Sequence, residues 1–76
     1  MTDIFTIMLL GHQVSQRKSV NLGVYTLKFY RRKGKRPDQY LYIVTLIKDG
    51  KVVESGIFGD YKNAVIYAGQ IFVRFR

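Results

Sequence analysis

The dipeptide Asp49-Gly50 limits most tightly what this chain can become. It separates two runs, Tyr40 to Lys48 and Lys51 to Phe58, that are rich in β-branched and aromatic side chains. A type I′ turn needs positive φ at both central residues, and Asp-Gly supplies it at low cost, so the two runs are predicted to fold back as an antiparallel hairpin. Upstream, Val24 to Arg32 alternates in character: Tyr25, Leu27 and Phe29 point one way, and Thr26, Lys28, Tyr30 and Arg32 the other. That is the period of a half-buried strand. Lys33 to Gln39 holds Gly34 and the single proline, Pro37, among charges, and reads as an exposed connection between strands.

After Phe58 the period changes. Gly59 and Asp60 offer a break and an N-cap, and apolar residues then recur at Tyr61, Ala64, Val65, Ala68, Ile71, Phe72 and Phe75, the spacing of an amphipathic helix. Ile66, Tyr67 and Val73 interrupt its other face, so this helix is expected either to be wrapped by the N-terminal segment or to form a homodimer contact. Gly69 costs about 1 kcal/mol relative to alanine inside a helix, which points to close packing there or to an early helix end. At the other end, Ile4 to Leu10 reads as a buried strand closed by Gly11, with a helical turn as the alternative. His12 to Gly23 is polar and reads as a loop. The expectation is one α+β domain over residues 1–76, with residues 1–22 an N-terminal strand and polar loop. Residues 23–76 form the core, an antiparallel three- or four-stranded β-sheet with one C-terminal α-helix packed on one face.

Charge narrows the choice of partner. Thirteen Lys and Arg face five Asp and Glu, a formal net charge of +8 on 76 residues. A body this small then carries positive potential over much of its surface and favours polyanions. The densest cluster, Arg31, Arg32, Lys33, Lys35 and Arg36, falls on the connection between two strands, where phosphate contacts would release condensed counterions. Arg17 and Lys18 would form a second prong if their segment folds to the same side. If Tyr25, Leu27 and Phe29 face the helix, then Lys28, Tyr30 and Arg32 face outward, and together with Tyr40, Tyr42 and Lys48 they would interleave cations and aromatics. Tyrosines also suit strands in general, so this second grouping has a purely structural reading beside it.

Catalytic chemistry finds little purchase. His12 is the single histidine and cysteine is absent, so paired-histidine acid–base devices, thiolate metal sites and disulfides are excluded. Asp3, Asp38, Asp49 and Asp60 fall at turns or element ends, where capping explains them. Glu54 lies within a strand and is free to pair with a neighbouring cation or accept from a cytosine amino group. Ser15, Ser19 and Ser55 lack a nucleophile elbow, and Gly56, Gly59 and Gly69 do not make a phosphate-binding loop. A non-enzymatic protein without cofactor or metal is expected. The run from Ile4 to Leu10 is too short to span a bilayer and lacks the basic flank of a secretory signal, so a soluble, cytoplasmic setting without membrane contact is expected.

From Gly23 onward the chain resembles the three-strand-plus-helix DNA-binding domains of the plant APETALA type and the arm-binding domains of phage-type tyrosine integrases. The matching residues are Gly23-Val24-Tyr25, the basic hairpin connection, Tyr40, Asp49-Gly50-Lys51, Gly56-Ile57-Phe58, Ala64 and Tyr67-Ala68. The resemblance implies a DNA-binding protein, of the kind carried by phage or mobile elements, whose outer sheet face enters the major groove with Lys28, Tyr30, Arg32 and Tyr42. Tyr40 to Phe72 is also similar to the second half of a double-stranded-RNA-binding domain. Four strands followed by a helix resemble the dimeric single-stranded-DNA-binding coactivator fold. DNA is therefore expected ahead of RNA. The alternative is a protein-interaction module, such as a small phage-type inhibitor docking on an acidic partner surface.

Overall fold

A computed structural model describes residues 3–75. The elements run α1 (Ile4–Arg17), β1 (Ser19–Leu22), β2 (Tyr25–Lys33), β3 (Tyr40–Lys48), β4 (Lys51–Phe58) and α2 (Tyr61–Phe75). The four strands form one antiparallel meander in the order β1-β2-β3-β4. Both helices lie against one face, where Val14 of α1 and Ala64, Val65, Ala68 and Ile71 of α2 close over Leu22, Leu27, Phe29, Val44 and Leu46. The molecule is therefore two layers thick, with a shortest extent of 18 Å. The α+β class, the antiparallel sheet and the C-terminal helix follow the sequence expectation.

The N-terminal segment does not. Ile4 to Leu10 is helical, Gly11 lies inside α1, and the stretch expected to be a loop from His12 to Gly23 is the rest of α1 followed by strand β1. Asp3 starts α1 as N-cap, its carboxylate accepting from the Thr6 amide at 2.8 Å. That bond favours the charged form and lowers the Asp3 pKa below its ordinary 3.8. The helix ends at Lys18, which turns left-handed at φ 67° while its amide donates to Val14 O at 2.8 Å.

Gly11 misleads as a strand terminator because its role is set by α2. A Cβ added there would stand 1.9 Å from the Val65 carbonyl oxygen, and one added at Gly69 would stand 2.0 Å from that of Ile7. The two antiparallel helices thus touch backbone to backbone at two points, and a hydrogen atom at each glycine is what permits it. Close packing, rather than an early end, explains Gly69. On the second apolar flank of α2, Tyr67 packs against Phe58 of β4, with ring centroids 5.2 Å apart.

The two tight turns follow from their residues. Asp49 and Gly50 both have positive φ, 54° and 77°, as the type I′ turn requires. Gly23 at φ 65° opens the two-residue connection from β1 to β2. Asp60 caps α2, accepting from the Asn63 amide at 2.7 Å. Glu54 pairs with Arg74 of α2, tying β4 to the last turn of that helix. Nearby, burial and then the Glu54 charge push the Tyr67 phenol above its ordinary pKa of 10.0.

Candidate nucleic-acid interface

The β2–β3 pair is longer than anything that accompanies it. β1 pairs only up to Ser19 opposite Lys28, and its last link to β2 is the Phe29 amide donating to Lys18 O at 2.9 Å. On the other side β4 ends at Phe58 opposite Tyr42. The register from Arg32↔Leu41 to Lys33↔Tyr40 therefore runs on as a two-stranded ribbon past both neighbouring strands. Its tip is closed by the Gly34 amide donating to Gln39 O at 2.8 Å and the Gln39 amide donating to Arg36 O at 3.1 Å.

Onto this ribbon and its base at Arg31 the sequence places Arg31, Arg32, Lys33, Lys35 and Arg36, all exposed, against one acid, Asp38. Among the described residues the one ion pair is Arg74–Glu54, in the α2–β4 seam, so no carboxylate neutralises any ribbon cation. Arg31 lies over the Tyr40 ring at 4.6 Å, which holds its guanidinium in place without removing its charge. Arg17 and Lys18 are exposed at the end of α1, and Lys18 lines the same recess as Arg31. The left-handed turn at Lys18 is what returns the chain to the sheet beside the ribbon.

Register divides the remaining residues between two faces. Lys28, Tyr30 and Arg32 point outward as expected, away from both helices, and all three are exposed, Tyr30 to 47%. Their cross-strand partners Thr45, Ile43 and Leu41 continue this face, and on β4 it ends in Val52 and Ile57, 60% and 59% exposed. Tyr40, Tyr42 and Lys48 do not belong to it. They pair with Lys33, Arg31 and Tyr25, which share the helix-side face with Leu27 and Phe29. The expected outer grouping of Tyr40, Tyr42 and Lys48 is thus overturned. The run Leu41-Tyr42-Ile43-Val44-Thr45-Leu46-Ile47 is apolar on both parities, since the central strand buries Ile43 and Thr45 as well as Val44 and Leu46, and so carries no alternation from which to choose a phase. Lys48 lies at the far hairpin, 5.7 Å from the Tyr25 ring centroid.

On the helix side, an aromatic cluster sits where the ribbon leaves the core. Phe29, Tyr42 and Tyr61 meet with centroid separations of 5.5 to 6.4 Å at steep interplanar angles. Tyr61 opens α2, and its hydroxyl lies 3.0 Å from His12 Nδ1 and 2.5 Å from Ser15 Oγ, both on α1. Because Ser15 Oγ donates to His12 O, it accepts from the Tyr61 hydroxyl, which leaves that hydroxyl placed to accept from His12 Nδ1. Nε2 is then left to accept from the Gln16 amide at 3.1 Å. His12 is thereby a positioning residue for the Tyr61 ring. Two recesses flank the Tyr42–Tyr61 pair. One, of about 470 Å³, is lined by Ser15, Gln16, Lys18, Phe29, Tyr30 and Arg31, and the other, of about 400 Å³, by Arg36, Asp38, Gln39, Tyr40, Gly59 and Asp60.

Phe29 and Tyr61 were not legible as site residues, since each reads as core in its own periodic pattern. The signal for Tyr61 is its place at the first helical position directly after the cap, where a large ring is left half outside the helix–sheet layer. Among the described residues no three His, Cys, Asp or Glu side chains gather as metal ligands, and no helix is long and apolar enough to cross a membrane. No family model, curated protein or solved structure matches this chain.

Proposed function

We propose that this protein binds nucleic acid, with DNA the leading ligand, by laying the β2–β3 ribbon against the phosphate backbone. The observation that carries the reading is the set of exposed, unneutralised cations on a ribbon that projects past its neighbours. Duplex DNA carries one negative charge per roughly 1.7 Å of axis, and its major groove, about 12 Å wide, admits a two-stranded ribbon. In this reading Arg32, Lys35 and Arg36 contact phosphates, Lys18 and Arg17 hold the backbone on the α1 side, and Lys28 with Tyr30 extends the contact along the outer face. In this reading binding is non-enzymatic and takes place inside the cell.

The test is binding to a duplex and to a single strand across a salt series. With about five phosphate contacts on duplex DNA, log K should fall against log salt with a slope near −4.5, so that raising salt from about 50 to 200 mM weakens binding roughly 500-fold. The triple variant Arg32→Glu, Lys35→Glu, Arg36→Glu should abolish it. Lys48→Glu with Lys51→Glu makes a smaller charge change at the opposite hairpin and should leave most of the affinity and the salt slope intact. Affinity no better than about 10⁻⁴ M at low salt, or equal loss from both variants, refutes the reading. The first of these outcomes would point instead to an acidic protein surface as the ribbon's partner.

A further inference from the structure

We propose that the paired recesses on either side of Tyr42 and Tyr61 receive unpaired nucleobases, so that the preferred ligand is a single strand rather than a duplex. This rests on the nucleic-acid reading above and specifies its ligand. The argument begins with what register did to the tyrosines: it moved Tyr40 and Tyr42 off the outer face and gathered them with Phe29 and Tyr61 beneath the ribbon. A duplex keeps its bases stacked inside and cannot offer their faces to such rings, whereas a single strand can.

Size and chemistry fit. Volumes of about 470 and 400 Å³ lie in the range of small-ligand sites, and cations stand among the lining residues of each recess. Lys18 and Arg31 rim the first and Arg36 the second, so a strand crossing the Tyr42–Tyr61 pair has a cation for the phosphate at each step. The second recess also holds Asp38 and Asp60. Asp60 is occupied in capping α2, through the Asn63 amide at 2.7 Å and the Asn63 side chain at 3.0 Å, whereas Asp38 is exposed on the ribbon connection and able to accept from a base amino group. The His12 and Ser15 bonds to the Tyr61 hydroxyl fix its ring before any ligand arrives, which reduces the ordering needed on binding.

The experiment compares three ligands at one salt concentration: a short oligothymidylate, an abasic strand of the same length, and a duplex of matched length, with the full chain under NMR observation. The expected result is binding of the oligothymidylate about 5- to 160-fold tighter than the abasic strand for each base stacked. The salt slopes of the two strands should be equal, and Tyr42 and Tyr61 ring signals should shift only with the base-bearing strand. Oligouridylate in parallel distinguishes a ribose from a deoxyribose source, and preference over the abasic strand by either supports the site. Tyr61→Leu should remove the preference while keeping abasic-strand affinity, and Tyr61→Phe, which keeps the ring, should retain most of it. Equal affinity for base-bearing and abasic strands, or no shift of the Tyr42 and Tyr61 rings with the base-bearing strand, overturns this proposal and leaves the ribbon reading standing. Absence of binding to every strand and duplex overturns both.

Discussion

Replacing Gly11 by alanine tests the helix seam on which the helix layer depends. The new Cβ would start 1.9 Å from the Val65 carbonyl oxygen, and because real Cβ contacts below 3.0 Å essentially never occur, the two helix backbones must separate locally by more than 1 Å. Neither neighbour can yield cheaply, since the obstacle is backbone rather than a flexible side-chain end. Overpacking of this kind costs about 1–3 kcal/mol, while removing a mid-helix glycine returns about 1 kcal/mol of helix propensity. The net expectation is a loss of up to about 2 kcal/mol, read as a fall in Tm of roughly 4–8 °C per kcal/mol for a domain of this size. Gly69→Ala presents its Cβ 2.0 Å from Ile7 O and should behave alike. Both substitutions open the same seam, so the double variant should lose less than the two single losses together, by about 0.5 kcal/mol or more. Gly59→Ala, which meets nothing within 4 Å, is the control and should fall within about 0.5 kcal/mol of the parent. If Gly11→Ala instead stabilises the protein by about 1 kcal/mol in urea unfolding, propensity alone governs the position and the backbone contact is not what Gly11 serves.

Lys18→Gly should raise stability by about 1 kcal/mol, because glycine adopts the left-handed turn at φ 67° without the Cβ penalty, and should weaken nucleic-acid binding at low salt. A matched loss of stability and affinity would contradict the division of roles at that residue. Glu54→Gln should cost no more than about 1 kcal/mol, since the Arg74 pair is partly solvated and its side chains are 56% and 35% exposed. The same change should lower the Tyr67 pKa toward 10.0, as read by tyrosinate absorbance, because the Glu54 charge that opposes phenol ionisation is removed. The two displaced groups also set the edges of the pH–stability profile. Asp3, with its folded pKa depressed, contributes stability that is present above 3.8 and is lost as pH falls through the lower folded value. Tyr67, with its folded pKa raised, contributes stability that is present below 10.0 and is lost as pH rises through the higher folded value. Asp3→Ala should flatten the acid limb of thermal melts recorded across pH, and an unchanged limb would argue against the cap.

Residues whose neighbours lie close along the chain were readable in advance. Asp49-Gly50 dictated its own turn, Val24 to Arg32 displayed its inward and outward sides, and Asp60 announced the start of α2, since turn chemistry, strand alternation and capping act over a few residues. What lay beyond the sequence was decided across the fold. Ile4 to Leu10 is apolar enough for either a strand or a helix, and α1 exists because α2 offers a seam into which Gly11 fits. The phase of β3 was likewise hidden, because a central strand buried on both faces is apolar at both parities and only its pairing with β2 and β4 tells Tyr42 which way to point. The basic stretch from Arg31 to Arg36 was legible as charge. Its form as a projecting ribbon beside an aromatic recess came from where β1 stops, where β4 ends, and how Tyr61 is held by α1. Local rules set the conformations of single residues, and long-range contacts chose among the several folds those conformations allowed.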